Sequence, residues 1–435
     1  MLWSAVQVAV AVLSLTLFCP RASALSKPIT GSNPNRRQVV HSTTTAAALT
    51  AIWLNPPPQP SYATTAPYLV DEYFQIPQTA PEFSRSYFPT LLPPIANRAT
   101  YLHTLGRDMF ALEQLLAFAN VTDSIRSTVV RLQSTGNLWV HSPQWPTGEL
   151  CHLLDSLEGD VEHIVLPCNA LEHKAPVGAF CKKYPNAKVW ISPGQYGPFG
   201  ACGQDVDFDE TKTSKSMGYR VDGILGDAME VPPSWLNEFD MALLYVDLPE
   251  NAGPVSEVAF CHRPSKTLIA TDAVVFIPPK APPIFDTYFD ANTIEEDTFW
   301  PRTVLQAVFL PLRIDPSGAY PGYIAIKNRL IRAPILRAFA DARAPDAVRE
   351  WVTKISRQSI FDRIVTSHFA SPIAATPFDF ASCFSYLNNG GGGGTSTFLP
   401  PIECQNWELL EGLNKVIADY NLGAPASFDY KKDCQ

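Results

Sequence analysis

Apolar positions along this chain keep two different rhythms, and each change of rhythm marks an element. Over 148–157, Leu150, Leu153, Leu154 and Leu157 fall three and four residues apart, the repeat of one helix face. The same spacing predicts helices over 173–184 and over 104–119, where Phe110, Leu112, Leu115, Leu116 and Phe118 recur near helical intervals and Asn120 suits the exit. Short apolar runs predict strands at 138–140, 161–166, 187–192, 241–248, 256–262, 266–271 and 361–366. Helical stretches at about 323–343 and 345–356 precede the last of these. A final amphipathic helix at 404–421 carries Leu410, Leu413, Ile417 and Tyr420 and is closed by Gly423. Strands separated by helices predict a layered α/β domain, and the consecutive strands between 241 and 271 predict a mixed sheet.

The ends break these rhythms. Residues 1–63 contain Arg21, Lys27, Arg36 and Arg37 and no acid. Within them, the apolar run 5–18 is too short to span a bilayer comfortably and precedes the small-residue site Ala22-Ser23-Ala24, the layout of a secretory signal peptide over 1–24. The Ser- and Thr-rich stretch 25–63 has transit-peptide composition, and the tandem resembles the two-part presequence of algal plastids. Arg36-Arg37, ahead of the mildly apolar 46–54 and the site Ser61-Tyr62-Ala63, resembles a twin-arginine signal, so thylakoid lumen and stroma both stand as destinations. Residues 64–103, crowded with proline and aromatic side chains, are expected to form an extended arm. The main domain is expected over 104–388. Residues 390–394 are all glycine but lack the Lys of a phosphate loop, so 389–400 reads as a linker and 401–435 as a helix and tail.

The chain has 435 residues, 46% of them hydrophobic, which is enough for a substantial core. Without residues 1–63 it keeps 29 basic against 42 acidic residues, a balance that argues against nucleic-acid binding. No transmembrane helix is expected in the mature protein. The cysteines form no CxxC pair, so isolated buried thiols are expected, with room for one unassigned disulfide in the lumen. The basic positions Lys327, Arg329, Arg332, Arg337 and Arg343 read as a solvated helix face. Trp139, Trp145, Trp190 and Tyr196 beside the turn at 193–198 read as core packing, with a ligand-pocket wall as the alternative. Neither the small-molecule substrate nor the oligomeric state is legible.

Several predicted strands end in acid–base or metal-binding side chains: Glu172 and His173, His262, Asp272, and His368. Polar groups at the carboxyl edge of strands are where α/β sheets place their sites. Histidine and carboxylate together hold divalent ions, which bring bound water near a neutral pKa.

The motifs Asn137-Leu138-Trp139-Val140-His141-Ser142-Pro143, Leu171-Glu172-His173-Lys174-Ala175 and Pro193-Gly194-Gln195-Tyr196 come in this order. Glu257-Val258-Ala259-Phe260 with His262-Arg263, then Thr271-Asp272 and Ser367-His368-Phe369, follow them. Over about 100–390 this series resembles domain-of-unknown-function family 4336 of plants, algae and bacteria. The resemblance implies an α/β αββα sandwich, metallo-β-lactamase-like, here with an extra N-terminal arm and C-terminal helix. Against the metallo-β-lactamase signature HxHxDH, Cys168 and Ala170 stand for the first two histidines, Glu172 stands for the Asp, and His173 is kept. Asp272 matches the bridging Asp and His368 the final His, while His262 lies near the usual middle ligand and Gly253-Pro254-Val255-Ser256 lies where that ligand's loop is expected. At most one divalent ion, zinc or iron, is therefore expected on His173, Asp272 and His368, with Glu172 or His262 nearby. Two functions stay open: a metal-dependent hydrolase in which Glu172 activates water, and a non-catalytic binding or assembly scaffold that lost its metal site.

Overall fold

Eight consecutive strands build the first sheet, in order β1 to β8: β1 Phe74–Gln75, β2 Tyr101–Thr104, β3 Met109–Phe118, β4 Val121–Arg131, β5 Leu138–His141, β6 Val161–Leu166, β7 Lys188–Ile191 and β8 Gly223–Ile224. The structure is a computed structural model that describes residues 74–75, 98–106, 108–118, 121–195, 209–227, 229, 231–247, 254–387, 402–419 and 425–431. The expected presequence, most of the arm, the glycine run and Gly423 lie outside them.

β3 and β4 pair antiparallel from Met109↔Val130 to Phe118↔Val121, so 109–118 is a strand and not the helix its spacing predicted. The cause is burial on both faces. Phe110 and Leu112 pack with the helices outside the sheet, while Met109 and Ala111 pack between the sheets. A doubly buried strand has too few polar positions for period two to show. β4 has the opposite disguise, because Thr122, Asp123, Ser124, Arg126, Ser127 and Thr128 are all buried and leave no apolar rhythm. The end of the expected arm, Tyr101–Thr104, is itself a sheet strand paired with β3.

From β5 to β8 the strands run parallel. Their connections carry helices α1 Gly148–Asp155, α2 Leu171–Lys174, α3 Val177–Lys183 and α4 Glu210–Met217. Thr147 caps α1 by accepting from the Leu150 amide, and Leu150, Leu153 and Leu154 pack on the sheet with Val177 and Phe180. The helix predicted over 173–184 is interrupted at Pro176, which stands before α3.

The second sheet has five strands, in the order β15-β14-β11-β10-β9. It comprises β9 Phe239–Val246, β10 Val255–His262, β11 Thr267–Ile269, β14 Arg363–Val365 and β15 Ile373–Ala374, while β12 Val275–Ile277 and β13 Arg329–Ile331 pair separately. Between the sheets, Trp139, Val165 and Trp190 meet Val258, Phe260 and Val365, so these tryptophans are core. Trp145 packs with Ala175, and Tyr196 lies outside the described residues.

Between β12 and β13 an excursion of four short helices, α5 Ile284–Tyr288, α6 Ala291–Glu295, α7 Phe299–Ala307 and α8 Pro321–Ile326, packs its Phe285, Trp300 and Leu305 with Tyr101 and Leu115. The helix predicted over 323–343 is thus broken. It stops at Ile326, Asn328 turns the chain at φ 59, β13 follows, and Pro334 opens the short α9 Pro334–Leu336 and one π-helical turn, Arg337–Asp341. Its arginines are not a solvated face. Arg332 is buried in a bidentate pair with Asp341 at 3.0 and 2.8 Å, Arg337 donates to the Tyr430 carbonyl, and Arg343 to that of Phe339.

Helix α10 Pro345–Gln358 covers the outer face of the second sheet with Val348, Trp351, Val352 and Ile355, joined by Phe380 of α11 Pro377–Ser382. The layers therefore run helix, sheet, sheet, helix, which is the expected αββα sandwich. After a 3-10 turn, Cys404–Trp407, helix α12 Glu408–Asp419 docks through Leu410 beside Trp407, Ala338 and Tyr430. Cys404 is disulfide-bonded, while Cys151, Cys168, Cys181, Cys261 and Cys383 are free. Among the described residues, no helix is long and apolar enough to cross a membrane.

Candidate metal centre

Three chain segments leaving strand ends meet at one edge of the sandwich. β6 leads through Pro167 and Cys168 into α2, which carries Glu172 and His173; β11 leads to Asp272; β14 leads to His368. One donor atom from each of Glu172, His173, Asp272 and His368 lies within 4.8 Å of all the others. The Nε2 atoms of His173 and His368 are 3.3 Å apart. Asp272 spans them, with Oδ2 3.6 Å from His173 Nε2 and Oδ1 3.3 Å from His368 Nε2.

His262 is not part of this group. β10 runs antiparallel to β11, with His262 opposite Thr267 at the start of β11, so it lies at the sheet edge away from Asp272. There its Nδ1 bonds Ser265 Oγ at 2.8 Å and its ring packs on Phe239. Cys168 is near but buried. Burial first, then Asp272, Glu257 and Glu172, push its thiol well up, so it stays a neutral core thiol.

Both histidine rings, and the backbone that carries Asp272, are held from behind by residues that were not nominated for the site. Ser142 Oγ lies 2.6 Å from His173 Nδ1. His368 Nδ1 lies 3.0 Å from the Ser124 carbonyl oxygen, with Asp123 Oδ2 at 3.5 Å. A carbonyl only accepts, so Nδ1 carries the proton and Nε2 faces the cluster. The amides of Thr271, Asp272 and Ala273 all donate to Glu257 Oε1. Two non-glycine residues in the left-handed region flank the site, Ser142 at φ 53 and Phe369 at φ 52. Such backbone persists where the surroundings over-determine it, often at functional sites. Ser142 lies two residues past the predicted strand 138–140, but its residue type gave no sign of this role. Asp123 and Ser124, on the undetected β4, carried no signal.

The electrostatics call for positive charge between these groups. Burial raises the Asp272 carboxyl, but the His173 and His368 rings outweigh it and hold the group well below the usual range. Burial disfavours the charged His368 ring, yet Asp123 and Asp272 outweigh that and hold it well above its ordinary value. His141, at the end of β5, is fully buried with no partner for either ring nitrogen; burial, with His173 beside it, pushes it down to about 3 and keeps it neutral.

A metal ion fits these residues. Bonds of about 2.0–2.2 Å in a tetrahedral arrangement separate neighbouring ligand atoms by roughly 3.3–3.6 Å. Two imidazole nitrogens facing each other across a carboxylate need a proton or cation between them. Asn169 Nδ2 donates to the Pro254 carbonyl at 2.6 Å and its Oδ1 accepts from the Ser256 amide at 3.2 Å, tying the end of β6 to the loop before β10. Gln195 donates to the Cys168 carbonyl at 3.0 Å. Asn169 thus bonds the described end of the loop where the resemblance placed the middle histidine, at Pro254 and Ser256.

The sandwich and its edge cluster define an α/β protein with, among the described residues, one His/Asp/Glu donor set. The sequence belongs to the family described as Domain of unknown function (DUF4336), matched over residues 107–305 and 321–386. No curated protein matches it. Among solved structures it is similar to a metallo-β-lactamase from Pontibacter korlensis, at 8% identity and TM-score 0.33, covering 66% of this chain and 98% of that one. It is also similar to a mutant of a flavo di-iron protein from Thermotoga maritima, at 10% identity and TM-score 0.38, covering 67% of this chain and 62% of that one. A beta-lactamase domain protein from Burkholderia ambifaria matches at 11% identity and TM-score 0.33, covering 66% and 72%.

Proposed function

We propose that this protein is a metal-dependent hydrolase of metallo-β-lactamase type that uses one divalent ion, zinc or iron. His173, Asp272 and His368 would hold the ion, with Glu172 beside it. The observation that carries this reading is the convergence of four donors from three strand ends, with both Nδ1 atoms engaged behind the cluster. When bound, the ion would polarise an oxygen and bring a water near neutral pKa. The chain's own part is to present two Nε2 lone pairs and the Asp272 carboxylate in fixed positions, and to place the half-buried Glu172 to accept a proton from water.

Metal analysis of the purified protein is expected to find one equivalent. His173→Ala should lose that ion while far-ultraviolet circular dichroism stays unchanged, since the layered core does not depend on the site. A wild type that takes up no metal would sink the reading and leave the scaffold alternative, a kept fold with an unused site.

We further infer a plastid location from the acid-free composition of residues 1–63. The disulfide at Cys404 favours the lumen over the stroma, because disulfides persist in oxidising compartments.

A further inference from the structure

Asp272 lies in the segment between β11 and β12, and a short aspartate on such a segment points wherever its backbone lets it. That backbone is held by one atom. Glu257 Oε1, on β10, accepts from the amides of Thr271 at 3.0 Å, Asp272 at 3.1 Å and Ala273 at 2.9 Å, and from the Thr271 hydroxyl at 2.9 Å. Three successive amides converging on one carboxylate oxygen form a nest, whose dipoles add at the anion. Opposite, Arg332, paired with Asp341, donates to the Ala273 carbonyl at 2.9 Å. The turn is therefore gripped on both its donor and acceptor sides by two buried side chains, Glu257 of β10 and Arg332 just past β13.

Surface turns do not need such a clamp. Burying a carboxylate is costly unless its charge is met, and four donors on one oxygen are far more than packing requires. We propose that Glu257 is a positioning residue: through the Thr271–Ala273 amides it fixes the Asp272 carboxylate across the His173 and His368 rings, and so sets the affinity and coordination geometry of the ion. This rests on the single-ion reading above. Glu257 itself does not touch the ion.

The test is a double-mutant cycle read by Co²⁺ titration of the full chain, with the visible d–d spectrum reporting coordination. Wild type should bind one equivalent. Glu257→Ala should bind about ten- to hundredfold more weakly, the usual cost of losing a partner behind a ligand, with a changed d–d band. Glu257→Gln, which keeps an acceptor oxygen, should recover most of the affinity and the wild-type band. Asp272→Ala should weaken binding, and Glu257→Ala/Asp272→Ala should be no weaker than Asp272→Ala alone. Additive losses in the double variant, or an unchanged band and affinity in Glu257→Ala, would overturn the positioning role while leaving the metal site standing. A wild type that binds no Co²⁺ would remove both. If Glu257→Ala does not fold, Glu257→Asp, which withdraws the carboxylate by one methylene, takes its place in the same cycle with the same criteria.

Discussion

Ser142 shows how much of this site depends on single atoms. Its backbone stands at φ 53 and its hydroxyl lies 2.6 Å from His173 Nδ1, so conformation and hydrogen bond are spent on one ring. Ser142→Gly separates the two, because glycine accepts the left-handed region without penalty while the hydroxyl is lost. The expected outcome is metal affinity about tenfold weaker with unchanged thermal unfolding. Unchanged affinity, measured by competition with a chelator, would mean that the hydroxyl only fills space. Histidine and carboxylate at strand ends could be picked out by residue type alone. Ser142, Ser124 and Glu257 could not, since Ser and Glu are common everywhere and act here through distances that only the fold creates.

The β3–β4 hairpin is the element that sets His368. Arg126 donates to the carbonyls of Thr366 and Phe369, and its amide bonds the Ser367 carbonyl at 2.9 Å, so the hairpin grips the turn carrying His368. Arg126 is held in turn by Glu113 at 2.6 Å, and His103 lies 2.8 Å from the other oxygen. Burial raises the Glu113 carboxyl, but Arg126 and His103 outweigh it and bring it down to about 2 from 4.5. A depressed carboxylate adds stability that is fully present above its unfolded pKa and is lost as pH falls through the folded one. The window is therefore about pH 4.5 down to 2, and a shift of this size is worth on the order of 3 kcal/mol. Urea unfolding of wild type should lose stability across that window, and Glu113→Gln should be less stable at neutral pH with a flatter profile below pH 4.5. An equally steep acid loss in the variant would assign it to other carboxylates. Neither strand of this hairpin was legible. One face of apolar residues too many made β3 look helical, and a run of buried polar residues hid β4.

At the scale of the molecule, three cores stack around the two sheets and a fourth joins the helical excursion to the first sheet. The seven predicted strands and the α1 and α10 helices lie within a few residues of where the sequence put them, because each strand is a short apolar run and each helix has one apolar face. The errors include β3, read as a helix, β4, whose buried polar run gave no signal, β2 inside the expected arm, and the 323–343 segment with its buried Arg332 and Arg337. The terminal address belongs to this scale too. A presequence without acids and rich in Ser, Thr and Pro is a poor builder of core, so the mature protein is expected to begin after Ala63. N-terminal sequencing of protein from isolated plastids checks this, and a start at Met1 or Leu25 would exclude it. Changing Arg36 and Arg37 to Lys should leave the protein in the stroma if a twin-arginine route carries it to the lumen.

Local physics, namely side-chain periodicity, proline and glycine, and residue type at strand ends, was enough to read a layered α/β domain and to nominate Glu172, His173, His262, Asp272 and His368, while the αββα sandwich came from the family resemblance. Those properties are written residue by residue, so the sequence alone determines them. Which nominees meet was decided by strand direction. β11 and β14 run parallel and bring Asp272 and His368 to one edge, whereas β10 runs antiparallel to β11 and carries His262 to the other. Strand direction and register are properties of pairs of segments far apart in the chain, and no single stretch of sequence contains them.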